Sequence, residues 1–185
     1  MSAISKVLER LTLQQLRPHL LSFSNFDTYQ SAYRAGHCTE TALLEVFKRV
    51  FSATTDKKLT VLVGLDISSA FDRINHNILL RRLHGEFGVT GTALAWLQGY
   101  ISSRSQFVKL GRHSSAAMSC TSGVPQGFVL GPILFVVYTS PIGDLIRSFG
   151  IHSHQFADDT QVHLARSSDI QNGLTLLADC TAACR

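Results

Sequence analysis

Apolar side chains near the start of the chain recur at helix-like spacing. Val7, Leu8, Leu11 and Leu16 form one stripe and predict a helix over 2–21. Thr39 reads as an N-cap, and the apolar face of Thr-Glu-Thr-Ala-Leu-Leu-Glu-Val-Phe predicts a second helix from 40 to about 52. After the polar turn Asp56-Lys57-Lys58 the period changes. Leu-Thr-Val-Leu-Val-Gly-Leu-Asp, 59–66, is a nearly unbroken apolar run, as expected of a buried central strand. Ser68 or Ser69 is placed to cap a following helix with Phe71, Ile74, Ile78, Leu79 and Leu83 inward, and 92–101 predicts another helix. Segments 106–110 and 114–121 read as strands around Gly111-Arg112. The loop Ser122-Gly123-Val124-Pro125-Gln126-Gly127 leads into a helix from about Leu130, with Pro132 tolerated in its first turn. Polar and apolar residues alternate on both sides of Asp158-Asp159, between His154 and Leu164, which predicts a hairpin with the aspartates at its tip. The last segment, 169–185, predicts a helix. This mixture defines an α+β class, with helices packed on one face of a small antiparallel sheet.

The composition supports a packed core: 45% of the 185 residues are hydrophobic and only 16% are charged, which excludes a disordered chain. A net charge of +4 suits a polyanionic partner without requiring one. Cys38, Cys120, Cys180 and Cys184 form neither a disulfide framework nor a paired zinc motif, and read as free thiols in a reducing compartment. Glu9, Arg10 and Arg17 interrupt any signal-peptide core, and the apolar stretch 130–142 is too short to span a bilayer. The expected location is intracellular, nuclear or cytoplasmic, with no membrane association. His152, His154 and His163 are expected at exposed strand positions, and Trp96 and Tyr100 as packing residues on one helix.

The chemistry lies in the carboxylates. Asp66 ends an apolar strand; taken alone it reads as a turn or capping aspartate. Beside a hairpin tipped by Asp158 and Asp159 it reads differently, because three carboxylates at one end of a sheet call for a hard cation. Magnesium prefers oxygen ligands and is commonly shared with substrate phosphates, and a pair of such ions is the usual arrangement for in-line displacement at phosphorus.

Five blocks, in order, carry a family resemblance. They are Ser5–Arg10, the run Gln30-Ser31-Ala32-Tyr33-Arg34-Ala35-Gly36-His37-Cys38-Thr39-Glu40-Thr41-Ala42-Leu43, Leu65-Asp66-Ile67-Ser68-Ser69-Ala70-Phe71-Asp72-Arg73-Ile74-Asn75-His76, Gly123-Val124-Pro125-Gln126-Gly127 with its continuation to Phe135, and Phe156-Ala157-Asp158-Asp159. Together they resemble the reverse transcriptase domain of non-LTR (LINE-type) retrotransposons, as an upstream block, a fingers block and polymerase motifs A, B and C. The resemblance implies a fingers–palm fold, with fingers at about 1–59 and 85–124 and palm at about 60–84 and 125–185. It implies an RNA-directed DNA polymerase acting on an RNA template, a DNA primer and deoxynucleoside triphosphates, with Mg2+ (or Mn2+) as cofactor. Asp66, Asp158 and Asp159 are then catalytic, with Asp66, Asp158, Asp159 and the Ile67 carbonyl at the metals. Phe71 is implied as the steric gate beneath the incoming sugar, Gln126 and Gly127 as contacts to the nucleotide and template base, and Arg34 as a triphosphate contact. Asp72 is expected to serve in hydrogen bonding and to take no part in catalysis.

Two departures qualify the match. Phe128 stands where the family usually has serine. No motif D block or thumb follows Leu164, which reads as a fragment or the product of a truncated element. The alternative expectation is an inactive remnant with at most weak nucleic-acid and Mg2+ binding. A different magnesium-dependent phosphotransferase or nuclease would not need the fingers block or Pro125-Gln126-Gly127. The sequence leaves the oligomeric state open.

Overall fold

The structure, a computed structural model, describes residues 3–102, 104–124, 127–166 and 169–184. The chain forms two compact units, each built from two separated segments: Met1–Phe23 with Ser69–Tyr138, and Ser24–Ser68 with Thr139–Arg185.

The second unit holds α2 (Thr39–Thr55), β1 (Leu59–Leu65), α6 (Pro141–Ser148), β6 (His152–Phe156), β7 (Asp159–Arg166) and α7 (Ile170–Ala183). Its sheet has the order β1-β7-β6, antiparallel throughout, with β1 paired to β7 from Leu59↔Arg166 to Leu65↔Thr160. Alternation along the strands gives the sheet two distinct faces. On one, Val61, Val63, Leu65, Val162 and Leu164 pack with Ile142 and Ile146 of α6 and Leu176, Leu177 and Cys180 of α7. The other carries His154, Gln161 and His163, and α2 lies over it, contacting all three strands. Helices therefore cover both faces, where one was expected. The reason shows in β7, whose residues Thr160, Val162, His163 and Leu164 are all buried. His163 and His154 are correspondingly not the exposed strand histidines the sequence suggests: His163 is buried, and His154 is half-buried with Nε2 2.9 Å from the Ser31 hydroxyl.

The first unit holds α1 (Ala3–Leu21), α3 (His76–Gly85), α4 (Gly91–Ile101), α5 (Gly131–Thr139, whose last residue passes into the second unit) and two small strand pairs. These are β2 (Arg104–Gln106) with β5 (Met118–Cys120), and β3 (Lys109–Leu110) with β4 (His113–Ser114). The expected long hairpin around Gly111-Arg112 is thus divided into two short ladders. The helix expected from Ser68 or Ser69 begins later. Ser69 adopts φ +55° and its carbonyl accepts from the Asp72 and Arg73 amides, closing a turn; Asn75 then caps α3 by accepting from the Ile78 amide at 3.1 Å. Ile74, Leu79 and Leu83 are buried as the apolar pattern predicts. Likewise α2 is capped by Cys38, one residue before Thr39, with the Cys38 amide donating to Thr41 Oγ1 at 2.9 Å.

Candidate active site

β1 ends at Leu65, paired with Thr160, so Asp66 and Asp159 are the next residue on each of two neighbouring strands. β6 and β7 close through Phe156↔Asp159, leaving Ala157 and Asp158 as a two-residue turn. The tip of the hairpin therefore sits one residue earlier than the sequence suggests, and Asp159 is already the first residue of β7. Asp66 and Asp159 are exposed and Asp158 is half-buried. Asp159 lines a cavity of about 200 Å³ together with Thr39, Leu43, His154, Phe156 and Gln161. Among the described residues none of the three carboxylates is paired with a lysine, arginine or histidine. Nor are three His, Cys, Asp or Glu side chains gathered closely enough, among those residues, to hold a metal ion as they stand. What the sheet supplies is an open end bearing three oxygen-donor side chains, with the half-buried Ile67 directly after Asp66.

The turn is unusual in its residue. Ala157 has φ +57°, the left-handed region that primed hairpin turns require at their first central position. An L-residue with a Cβ is disfavoured there by about 1–2 kcal/mol, and glycine or asparagine is the usual choice. Gln30, buried at 1% exposure, meets this residue from the side. Its Oε1 accepts from the Ala157 amide at 2.9 Å and from the Ala32 amide at 3.0 Å, and its Nε2 donates to the Ala157 carbonyl at 3.1 Å. The main chain follows suit: the Gln155 amide donates to the Tyr29 carbonyl and the Ser31 amide to the Gln155 carbonyl, both at 2.9 Å. Tyr33, three residues on, stands near enough to the turn that the Asp158 carboxylate, after burial, raises its phenol above the ordinary value.

Arg34 belongs to the same segment. Its guanidinium donates to the Thr28 carbonyl at 3.1 Å and the Gln30 carbonyl at 3.4 Å and lies 5.5 Å from the Phe26 ring centroid. In this conformation it braces the loop from inside. Phe71 and Gly127 belong to the first unit. The Phe71 ring is half-buried, 5.0 Å from that of Phe135, and its carbonyl accepts from the Val124 amide at 2.9 Å. Gly123 donates to the Ile74 carbonyl and accepts from His76 Nε2, both at 2.8 Å; its φ of +85° and a backbone atom of Asp72 3.0 Å from where a Cβ would stand leave room for glycine alone. Gly127 has φ +84° and is exposed; Gln126 lies outside the described residues. Asp72 lines a groove of this unit with Arg104, Gln106 and Cys120. Phe128, the departure from serine, turns its ring to Tyr100, 5.6 Å away, with the Arg104 guanidinium 4.5 Å from its centroid.

Sequence reasoning missed two residues. Gln30 stands in a recognised block but carries no motif chemistry; the available signal was Ala157, a residue with no side chain to hold a left-handed turn. Glu9, legible in the sequence as a charge interrupting an apolar stretch and as part of the Ser5–Arg10 block, is 1% exposed and accepts from the Val129 amide at 2.6 Å and the Leu130 amide at 3.4 Å, just ahead of α5.

A sheet in which an aspartate-ended strand lies beside an aspartate-tipped hairpin, flanked by helices, is an α+β fold of the polymerase fingers–palm class. Solved telomerases share it at the level of fold. The Candida albicans enzyme, in complex with a TWJ fragment of telomeric RNA, superposes with TM-score 0.66 at 13% identity over 97% of this chain and 31% of its own. An apo Candida tropicalis telomerase truncated from its C-terminal domain gives 0.60 at 16% over 97% and 36%. Residues 1–185 match the reverse transcriptase (RNA-dependent DNA polymerase) family, and the chain belongs to it, as a domain of the non-LTR retrotransposon type. Relatives in Drosophila melanogaster include the probable RNA-directed DNA polymerases from transposon BS (30% identical over 77% of this chain and 16% of the relative) and from transposon X-element (32%, over 74% and 15%). The polymerase from mobile element jockey is 29% identical over 91% of the chain and 19% of its own length. The chain thus spans less than a fifth of the length of these relatives. Among the described residues no helix is long and apolar enough to cross a membrane.

Proposed function

We propose that this chain carries the catalytic carboxylates of an RNA-directed DNA polymerase, adding deoxynucleotides from their triphosphates to a DNA primer 3′-hydroxyl on an RNA template. The observation that supports it best is the β1–β7 register, which leaves Asp66 and Asp159 as neighbouring strand ends beside the Asp158 turn. The donor set suits magnesium: aspartate oxygens and the Ile67 carbonyl are hard ligands, and an open site leaves room for waters and substrate phosphates. When bound, a pair of Mg2+ ions lowers the pKa of the attacking hydroxyl and steadies the departing pyrophosphate. Asp66 follows the end of β1 and Asp158 sits in the turn that joins β6 to β7, so the two carboxylates come together only when the sheet forms. Asp159 adds negative charge on the α2-covered face. Mn2+ would be accepted by the same oxygen donors.

In the first unit, the Phe71 ring is the candidate gate against a 2′-hydroxyl, held by its contact with Phe135. Gln126 and Gly127 are the candidate nucleotide contacts. Arg34 would have to give up its bonds to the Thr28 and Gln30 carbonyls to reach a triphosphate.

The test is primer extension on an RNA template with Mg2+, comparing the chain with Asp66→Asn and Asp158→Asn. Extension by the intact chain should fall at least about a hundredfold in each variant, the scale of losing about 2.7 kcal/mol of transition-state stabilisation. Equal signal in all three would refute the assignment. Cation binding without extension would mark the chain as an inactive remnant.

A further inference from the structure

The two central residues of the hairpin turn do different work. Asp158 bears a carboxylate and Ala157 bears the conformational burden, with φ +57° and no side chain able to hold it. Gln30 supplies what is missing. A side-chain amide offers an N–H and a C=O side by side in one plane, as a neighbouring strand's peptide groups do, and Gln30 turns them on the carbonyl and amide of Ala157. The Ala157 carbonyl belongs to the peptide that begins Asp158, so fixing both peptide planes of Ala157 fixes the direction in which Asp158 leaves the turn. Gln30 is itself anchored on both sides, by Tyr29 and Ser31 bonding to Gln155 of β6 and by its own bond to Ala32.

We propose that Gln30 is a positioning residue for Asp158, acting through its two-bond clasp on Ala157, and that the same clasp ties the segment carrying Tyr33 and Arg34 to the carboxylate turn. This rests on the reading of Asp158 as a cation ligand. Nothing about Gln30 suggests contact with substrate or metal; it is buried and its hydrogen-bonding atoms are engaged within the fold. It would act as the supporting residues of metal sites do, by orienting a ligand, and loss of such residues typically weakens metal affinity 10–100-fold.

The experiment uses the 185-residue chain and Mn2+ alone as probe, titrated by electron paramagnetic resonance, with hydrogen exchange of backbone amides followed by NMR. Gln30→Met keeps length and burial and removes both bonds to Ala157 together with the one to Ala32. It should speed exchange at the Ala157 amide at least about tenfold, leave Val162 and Leu164 protected, and weaken Mn2+ binding about tenfold. Adding Ala157→Gly should restore part of the Mn2+ affinity, because glycine adopts the turn without the clasp; a residue that merely filled space would show no such recovery. Unchanged exchange at Ala157 in Gln30→Met, or lost protection with unchanged Mn2+ binding, would overturn the proposal. Asp158→Asn separates the two layers. If it abolishes Mn2+ binding and Gln30→Met does not weaken it, Gln30 alone is misassigned. If Asp158→Asn leaves binding intact, the ligand role of Asp158 fails, and the aim served by the clasp fails with it.

Discussion

Gly143, on α6, shows how one missing side chain can carry an ion pair. A Cβ at this position would collide with the Asp27 carboxylate, which is buried at 4% exposure and accepts from Arg147 Nη1 at 3.0 Å and from the Tyr29 amide at 2.9 Å. Arg147 also reaches Asp144 at 2.6 Å and lies 5.7 Å from the Tyr29 ring centroid, so one guanidinium joins α6 to the segment that leads into Gln30. Gly143→Ala gains helix propensity but must displace that carboxylate. A net loss of about 1–3 kcal/mol is expected, seen as a lower urea midpoint with unchanged slope. Glu9 makes a parallel case in the first unit. Its carboxylate engages the two backbone amides that precede α5, where an anion also favours the helix dipole. Glu9→Ala leaves both donors without this acceptor and should cost about 1–3 kcal/mol, while Glu9→Gln, which keeps an acceptor oxygen, should lose less; thermal unfolding of the two variants side by side checks the order. Neither role was legible in the sequence. Gly143 and Glu9 act through partners more than a hundred residues away, and no local pattern encodes that.

At the scale of elements, β7 explains both what the pattern revealed and what it concealed. Alternation correctly marks a strand after Asp158, yet it suggests one wet face with His163 on it. Coverage by α2 is a tertiary fact that shelters His154 partly and His163 fully, while His152 stays exposed as expected, with Arg49 3.4 Å from its Nδ1 and its ring stacked on that of His163 at 5.2 Å. Burial lowers all three imidazoles from the ordinary 6.5; Arg49 adds to this at each, while Glu45 and Asp27 oppose it at His154. The unfolded chain then takes up protons at a pH where the folded sheet does not, so stability rises with pH across that window. It should be fully present above about 6.5 and decline as pH falls below it toward the lowered folded values. Urea midpoints at pH 7.5 and 5.5 should show the drop, and His163→Gln should shrink it; equal midpoints would mean that the imidazoles charge freely in the fold. The helix expected at Ser68 failed for a local reason instead: two serines offered caps, but Asn75 made the bond to Ile78 and the intervening residues closed a turn on Ser69.

Across the whole molecule, the ordering of motifs was legible because each is a short local signal, and the pairing of Asp66 with the Asp158–Asp159 hairpin followed from an apolar strand needing neighbours. The interleaving was not legible. Each unit takes two separated segments of the chain, so β1 finds β7 only across the Ser69–Tyr138 segment of the first unit, with Leu59 opposite Arg166. Long-range antiparallel pairing of this kind forms late and leaves its strands exposed meanwhile. A chain ended after Gly150 retains all of the first unit but has β1 without β6 or β7, and Val61, Val63 and Leu65 lose the cover of Val162, Leu164 and α7. Leu59 and Leu62, already 55% and 50% exposed, would then flank a strand with both edges open. The expected outcome is a species that keeps helical circular dichroism but elutes as aggregate in size-exclusion chromatography. Conversely, 24–68 joined to 139–185 by a Gly/Ser linker contains every strand of the sheet and all three helices on it, and should fold with the Ala157 amide protected from exchange. An unfolded joined chain beside a folded parent would show that the sheet, and with it the carboxylate turn, depends on the first unit.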